Sequence, residues 1–265
     1  MKLINITIAG ALLLGTSAFL MSCEKEKEYL APWTTAGATT DRAHLRIIHA
    51  SPNFRAVTNR ADSLHVFVNT AKINGARLSF GSAFPATTPN SYVSLPAGLS
   101  NIKISVGGLV NYDSIPVTSI TTTMEAGKFY SLIITDSIAN GSRDSAKMLM
   151  RDDLPSLAAG RTGIRFINCM VDTGVAATQR VDVWSARRNN NLYTNVSTGT
   201  ISSFSNQPYI ALGDTLIVRR AGTTTELARL NNITFGETRV YTMFLRGQVN
   251  VTGTKAKTLT WYTNK

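Results

Sequence analysis

The chain holds 265 residues, with 27 Lys and Arg against 16 Asp and Glu and a formal net charge of +11. With 43% hydrophobic residues, 8% aromatics and a mean hydropathy of +0.01, the composition excludes both a disordered polar tail and a polytopic membrane protein. Its two cysteines, Cys23 and Cys169, supply neither a disulfide framework nor paired Cys-x-x-Cys zinc knuckles.

Met1 and Lys2 give a short positive start and Leu3 to Leu20 is mostly apolar, the pattern of a secretory signal peptide over residues 1–22. Leu20-Met21-Ser22-Cys23 closes that run and resembles the lipobox of bacterial lipoproteins, in which the cysteine thiol is acylated and becomes the new N-terminus. The resemblance implies a lipid anchor at Cys23, hence a partner membrane and a place in the cell envelope, at the outer membrane. Each buried methylene contributes about 0.8 kcal/mol, so several acyl chains make release slow. Glu24 to Glu28 alternates acidic with basic residues and Thr34 to Thr40 is small and polar, so residues 23–43 read as a flexible tether. Acidic residues behind the cysteine also resemble the surface-export signals of Bacteroidota lipoproteins.

From residue 44 the dominant signal is period-two alternation in short runs punctuated by Gly, Pro, Asn, Asp and Ser, which predicts an all-β body. The runs are Leu45–Ala50, Leu64–Asn69, Tyr92–Leu95, Ile102–Val106, Phe129–Thr135 and Ala146–Met150. The series then restarts. Leu45–Ala50 aligns with Ile164–Cys169, Ser63–Val68 with Arg180–Ser185, Tyr92–Gly98 with Tyr209–Asp214, and Gly127–Ile133 with Glu237–Met243. Two consecutive β units fit tandem sandwiches better than one large barrel. The predicted organisation is a first domain over 44–154, a linker over 155–162 and a second, degenerate domain over 163–265.

Four segments of the first unit, Arg46-Ile47-Ile48-His49-Ala50-Ser51-Pro52, Leu95-Pro96-Ala97-Gly98, Glu125-Ala126-Gly127-Lys128-Phe129-Tyr130 and Arg151-Asp152-Asp153-Leu154, resemble the bacterial extracellular family called domain of unknown function 4397. The resemblance implies paired immunoglobulin-like units in a secreted or lipid-anchored protein, so the expected fold is two tandem antiparallel β-sandwiches. It carries no activity and no catalytic residue.

Candidate chemistry is sparse. His49 and Ser51 lack a Gly-x-Ser-x-Gly nucleophile elbow, and none of His44, His49 and His65 recurs as histidine in the second unit, where Gly163, Asn168 and Asp182 stand. His49 and Asn168 therefore read as groups that satisfy backbone where the first strand ends. No catalytic residue, metal ligand set or cofactor is expected. Asp152 and Asp153 lack a calcium loop and read as a solvated strand end, and Cys169 reads as a small buried residue with an inert thiol. Phe67 and Trp184 occupy equivalent positions on the second strand of each unit; they either pack in a core or stack on sugar rings.

Six of the ten aspartates are followed directly by Ser or Thr, where composition predicts about two. Five of these continue with an apolar residue, which resembles the O-glycosylation sequon of secreted Bacteroidota proteins and marks Ser63, Ser114, Ser137, Ser145 and Thr215. Turn chemistry at strand ends is the alternative. Charge is uneven as well. Residues 24–160 hold 13 basic and 11 acidic residues, net +2, whereas residues 161–265 hold 13 and 5, net +8, including Arg187-Arg188 and Arg219-Arg220. For an exported protein this excess points to anionic polysaccharide or lipid rather than nucleic acid. The function expected is a non-catalytic, lipid-anchored envelope protein presenting its domains for binding, adhesion or structure. A carbohydrate or polyanion binder and a hydrolase of envelope polymers are the alternatives.

Overall fold

The structure is a computed structural model and describes residues 41–52, 62–86, 92–106, 116–135, 147–171 and 179–264. The expected signal peptide, Cys23 and most of the expected tether lie outside the described residues. Among the described residues there are eighteen strands and no α-helix. The first half of the chain supplies β1 (Arg42–His49), β2 (Ser63–Val68), β3 (Ala71–Lys72), β4 (Leu78–Ser79), β5 (Ala83–Phe84), β6 (Val93–Pro96), β7 (Gly98–Ser105), β8 (Pro116–Met124), β9 (Phe129–Ile134) and β10 (Lys147–Arg151). The second supplies β11 (Arg161–Asn168), β12 (Val181–Ser185), β13 (Asn190–Val196), β14 (Ser205–Pro208), β15 (Asp214–Arg220), β16 (Glu226–Ile233), β17 (Val240–Arg246) and β18 (Thr258–Thr263), with one 3-10 turn at Gly253–Lys255.

The strand order repeats. An inner sheet β10-β9-β1, with β5 and β6 on the far edge of β1, is matched by β18-β17-β11-β14. An outer sheet β8-β7-β2, with β3 and β4 on β2, is matched by β16-β15-β12-β13. In each half the inner and outer sheets enclose one apolar core. Leu45, Ile47, Leu64, Val66, Ile102, Ile104 and Leu132 fill the first. Ile164, Phe166, Val181, Val183, Leu216, Val218 and Met243 fill the second. The Thr-rich β8, Pro-Val-Thr-Ser-Ile-Thr-Thr-Thr-Met, escapes a hydropathy reading because only Val117, Thr118 and Met124 are buried and the rest is proline, serine, threonine and partly exposed Ile120.

Two expectations need correction. The sheets are not wholly antiparallel: β1 pairs with β9 in parallel, from His44 opposite Phe129 to His49 opposite Ile134, and β11 pairs with β17 in the same way. The chain passes through the outer sheet between these strands and returns at the end where it began, and a parallel pair requires such a crossover. The Tyr92–Tyr209 match is also out of register. Pro96 lies opposite Arg42 and Pro208 opposite Arg161, so Pro208 is the counterpart of Pro96 and Phe204 that of Tyr92. Sequence likeness at Tyr-x-x-Leu outweighed strand pairing, which alone fixes equivalence.

The two inner sheets pack face to face. Ile48, Ala50 and Ile133 from one meet Ile167, Cys169, Phe244 and Tyr262 from the other in a third apolar cluster. β1 and β11 are thus buried on both faces, which explains why Ile47-Ile48 and Leu132-Ile133-Ile134 interrupt the alternation. The direction of packing follows from contacts at the middle of β1 and beyond its end. At the middle of β1, the Arg46 guanidinium donates to the Thr263 carbonyl (2.7 Å), and Thr263 pairs with Tyr241 beside Ile164. Beyond its end, Gly81 bonds the His49 carbonyl (2.7 Å) and lies so close to Arg246 that a Cβ there would sit 2.7 Å from Cζ. β1 and β11 run the same way across the interface, and both begin at one end of the molecule.

Candidate functional site

Equivalent residues of the repeat meet at the inner interface and make it polar at its centre. Arg46 and Arg165 are counterparts, each facing inward from the middle of its strand. Arg46 is wholly buried, with its guanidinium 4.7 Å from the Tyr92 ring and 4.6 Å from the Tyr262 ring. Burial lowers its pKa, opposed by Tyr92 and Tyr262. Arg165 lies 4.5 Å from the ring of Phe204, the counterpart of Tyr92. It donates Nε–H to Thr242 (2.8 Å) and forms an ion pair with Asp152.

Asp152 is the hub. Its Oδ2 accepts the Tyr92 hydroxyl (2.8 Å) and the Ser131 hydroxyl (2.7 Å), and this is why burial, followed by the nearby Asp152 charge, holds the Tyr92 pKa well above its usual value. Asn264 stands at the matching place after β18: it accepts from Thr242 (2.6 Å) as Asp152 accepts from Ser131, and its amide donates to the Tyr92 oxygen (2.8 Å). The reading of Asp152-Asp153 as a solvated strand end therefore holds only for Asp153, which pairs with exposed Arg151 (2.8 Å). Asp152 is 4% exposed. Sequence reasoning missed this cluster because nothing in one strand tells which of its faces meets another sheet. Arg46 recurring as Arg165 among apolar neighbours was the available signal.

The sequence-nominated ligand residues are scattered. Phe67, 8% exposed, and Trp184 lie outside the two sandwich clusters, on the face of the outer sheet turned away from them, each under a cation, Lys103 Nζ at 4.9 Å and Arg219 Cζ at 4.7 Å. Alternation places Leu64 and Val66, or Val181 and Val183, toward the cores and these rings on the opposite face of the strand, where Phe67 is still buried and Trp184 half-buried. Arg219 joins Trp184, but Arg220, the next residue, projects to the other side of β15 and its carbonyl accepts from Thr223 (3.0 Å). Arg187 and Arg188 build a turn. Asp214 accepts the Arg187 N–H (2.9 Å) and Arg188 Nη1 (2.9 Å), while Arg187 Nε reaches the Gly213 carbonyl (2.6 Å) and Arg188 Nη2 the Pro208 carbonyl (2.6 Å).

Of the nominated glycosylation residues, Ser114, Ser137 and Ser145 lie outside the described residues. Ser63 opens β2 and Thr215 is the second residue of β15, both half-buried. Their preceding aspartates have structural partners, Lys255 for Asp62 (2.8 Å) and Arg188 for Asp214. Asn168 bonds backbone as expected, its amide donating to the Gln179 and Val196 carbonyls (3.0 and 3.1 Å) and its oxygen accepting from Met170 (3.2 Å). His49 is fully buried with its ring edge-on to Phe80 at 5.9 Å; burial, helped by Lys255, lowers its pKa to about 3. Cys169 is buried in the interface rather than in a core of its own half, and burial raises its pKa to about 12. Among the described residues no three His, Cys, Asp or Glu side chains converge as a metal site. A groove of about 250 Å3 lies where the halves meet, lined by Gly81, Ala83, Phe244, Trp261 and Tyr262.

Taken together, the fold and its buried polar centre define an all-β protein in which two versions of one unit are joined through their inner sheets. The chain belongs to the family described as Domain of unknown function (DUF4397), whose model matches residues 43–175. That match ends shortly after β11, so most of the second unit lies beyond it and is tied to the first by topology. No curated protein matches the chain. Among solved structures, the chain is similar to a "putative cell adhesion protein" from Bacteroides uniformis, at 10% identity over 86% of this chain and 98% of that one, with a TM-score of 0.22. It is also similar to a "putative adhesin" from Bacteroides ovatus, at 12% identity over 85% and 98%, with a TM-score of 0.18. Overlays this loose carry no weight for function.

Proposed function

We propose that the protein is a lipid-anchored, non-catalytic component of the cell envelope, in which two immunoglobulin-like β-sandwich domains, 44–154 and 163–265, are displayed as one rigid body for binding, adhesion or structure. The observation that carries this reading is the inner interface. The buried arginines, the hub carboxylate and the interface thiol are all directed into joining the halves, which gives a surface of fixed geometry rather than a reactive cleft. The immunoglobulin-like assignment is supported by Tyr130 and Tyr241. Each opens a strand beside β1 or β11 and accepts a backbone N–H five residues upstream, from Glu125 (2.9 Å) and Gly236 (2.7 Å), the arrangement of a tyrosine corner.

Acylation at Cys23 holds this body on the outer membrane. Mass spectrometry of the protein from its native host is expected to find the acylated Cys23 at the mature N-terminus, and an unmodified cysteine would overturn the anchor. The same spectrum reads glycosylation at Ser63, Ser114, Ser137, Ser145 and Thr215. Incubation with envelope polysaccharide and peptidoglycan is expected to release no reducing ends, and release would overturn the non-catalytic reading.

A carbohydrate- or polyanion-binding role is favoured by Trp184, half-buried on an outer face under Arg219. On a glycan array, Trp184→Ala is expected to lose any acidic-glycan signal about tenfold, in line with a stacked ring contributing roughly 1 kcal/mol or more. An equal signal from both proteins would remove Trp184 from the site.

A further inference from the structure

The turn joining β6 to β7 and the loop joining β14 to β15 are counterparts. The Ala97 N–H bonds the carbonyl of Asp41 (3.1 Å), one residue before β1, and the Tyr209 N–H bonds that of Gly160 (2.8 Å), one residue before β11. Because β1 and β11 run in the same direction across the interface, both turns lie at the same end of the molecule. A leucine stands in solvent at each: Leu99, the second residue of β7, is 72% exposed and Leu212, within the loop, 75%, and among the described residues they are the exposed large hydrophobics. Gly98 (φ +112) precedes the first and Gly213 (φ +74) follows the second, backbone conformations that side chains other than glycine rarely adopt. Arg187 and Arg188 clamp the Leu212 loop through its carbonyls.

Charge and connectivity at this end agree. Exposed Arg187 bonds the Leu212 loop at the Gly213 carbonyl and half-buried Arg161 pairs with Pro208 at its start. Exposed Arg239 and exposed Glu237, which accepts the Gly160 N–H, lie just before β17 at the same end. The chain from the N-terminus also reaches the body here, since Asp41 adjoins the Leu99 turn. Arg42, Lys128, Arg161, Arg187 and Arg239 outnumber the exposed acids Asp41 and Glu237 here, while Arg151 is paired with Glu125 and Asp153. Two apolar tips at an end with this basic excess are the chemistry of a surface that rests on anionic headgroups and dips into the acyl boundary.

We propose that this end faces the membrane and docks on an anionic lipid surface, with Leu99 and Leu212 as the inserting residues. The proposal deepens the lipid-anchor reading and rests on it for orientation. Docking sets the long axis of the strands across the membrane plane and directs the opposite end outward.

The test uses the mature chain with Cys23→Ser, so that no acyl chain masks the contact. Co-sedimentation is measured with vesicles of phosphatidylcholine alone and of phosphatidylcholine mixed equally with phosphatidylglycerol. Binding is expected on the mixed vesicles and not on the neutral ones. The double variant Leu99→Ser/Leu212→Ser is expected to weaken it about tenfold or more, the scale of withdrawing two leucine tips from lipid. Arg239→Ala, at this end, is expected to weaken binding more than Arg180→Ala, an exposed arginine at the opposite end. Equal effects of the two arginine variants, unchanged binding by the double variant, or no binding at all would each overturn the proposal. So would sedimentation showing that the leucines join two copies of the chain without lipid. Failure here leaves Cys23 acylation, read by mass, standing or falling independently.

Discussion

The two buried arginines are held by different physics. Arg165 has a carboxylate partner, while Arg46 lies between two aromatic rings with a carbonyl acceptor. Removing one partner of a buried ion pair leaves the other charge uncompensated, at a cost of about 3 to 5 kcal/mol. Asp152→Ala is therefore expected to lower stability by that amount in urea unfolding, whereas Arg46→Met, which keeps a polarisable chain between the rings, costs much less. His49 makes a pH prediction. Its pKa is about 3 in the folded chain and near 6.5 when unfolded, so the unfolded state binds the extra proton between those values. Stability from this group is intact above about pH 6.5 and falls by about 1.4 kcal/mol per unit as pH drops toward 3. His44, whose pKa is lowered by burial and Arg42, acts with the same sign. His49→Asn, the residue its counterpart carries, is expected to flatten the dependence in urea titrations at pH 7, 5 and 4.

At the scale of the element, the strands at the centre of each inner sheet are buried on both faces, and the turns between strands are where single residues decide geometry. Gly247 follows β17 with φ +102, and a Cβ there would lie 2.3 Å from the Ala256 carbonyl oxygen. Gly98 has a similar φ of +112 but open space around it. Gly247→Ala is thus expected to destabilise by about 2 to 4 kcal/mol, the backbone strain compounded by a clash, and Gly98→Ala by about 1 kcal/mol from strain alone. Chemical denaturation of the two variants checks the contrast, and equal losses would mean that the β17–β18 connection yields freely. Strand existence was legible from alternation at β1, β2, β6, β7, β9 and β10. The Thr-rich β8 and the parallel pairings were not, because pairing partners are chosen by the chain path and not by the strand's own residues.

At the scale of the whole molecule, the third apolar cluster and the polar lock make one body of two repeats. Heat is expected to unfold the chain in a single calorimetric transition. Ile48→Asp, placing a charge in the interface and not in either core, is expected to split it in two. A single transition in that variant would mean that the halves are coupled by other contacts. Cys169 reports the same closure: with its thiol buried and its pKa raised to about 12, alkylation at pH 8 is expected only after unfolding.

The sequence by itself determined the β content, the two-fold repetition, the family and the uneven charge, because alternation, turn residues and recurring segments are local properties that survive in one dimension. It identified Arg46 and Asp152 only as parts of recurring or family-like segments. Tertiary structure decided that these side chains meet Arg165, Tyr92 and Asn264, that Phe67 and Trp184 face outward, and that Leu99 and Leu212 share an end. A period-two pattern states which residues lie on a common face. Whether that face meets solvent, its own core or another sheet depends on how sheets stack, and stacking is set by contacts between residues more than one hundred positions apart.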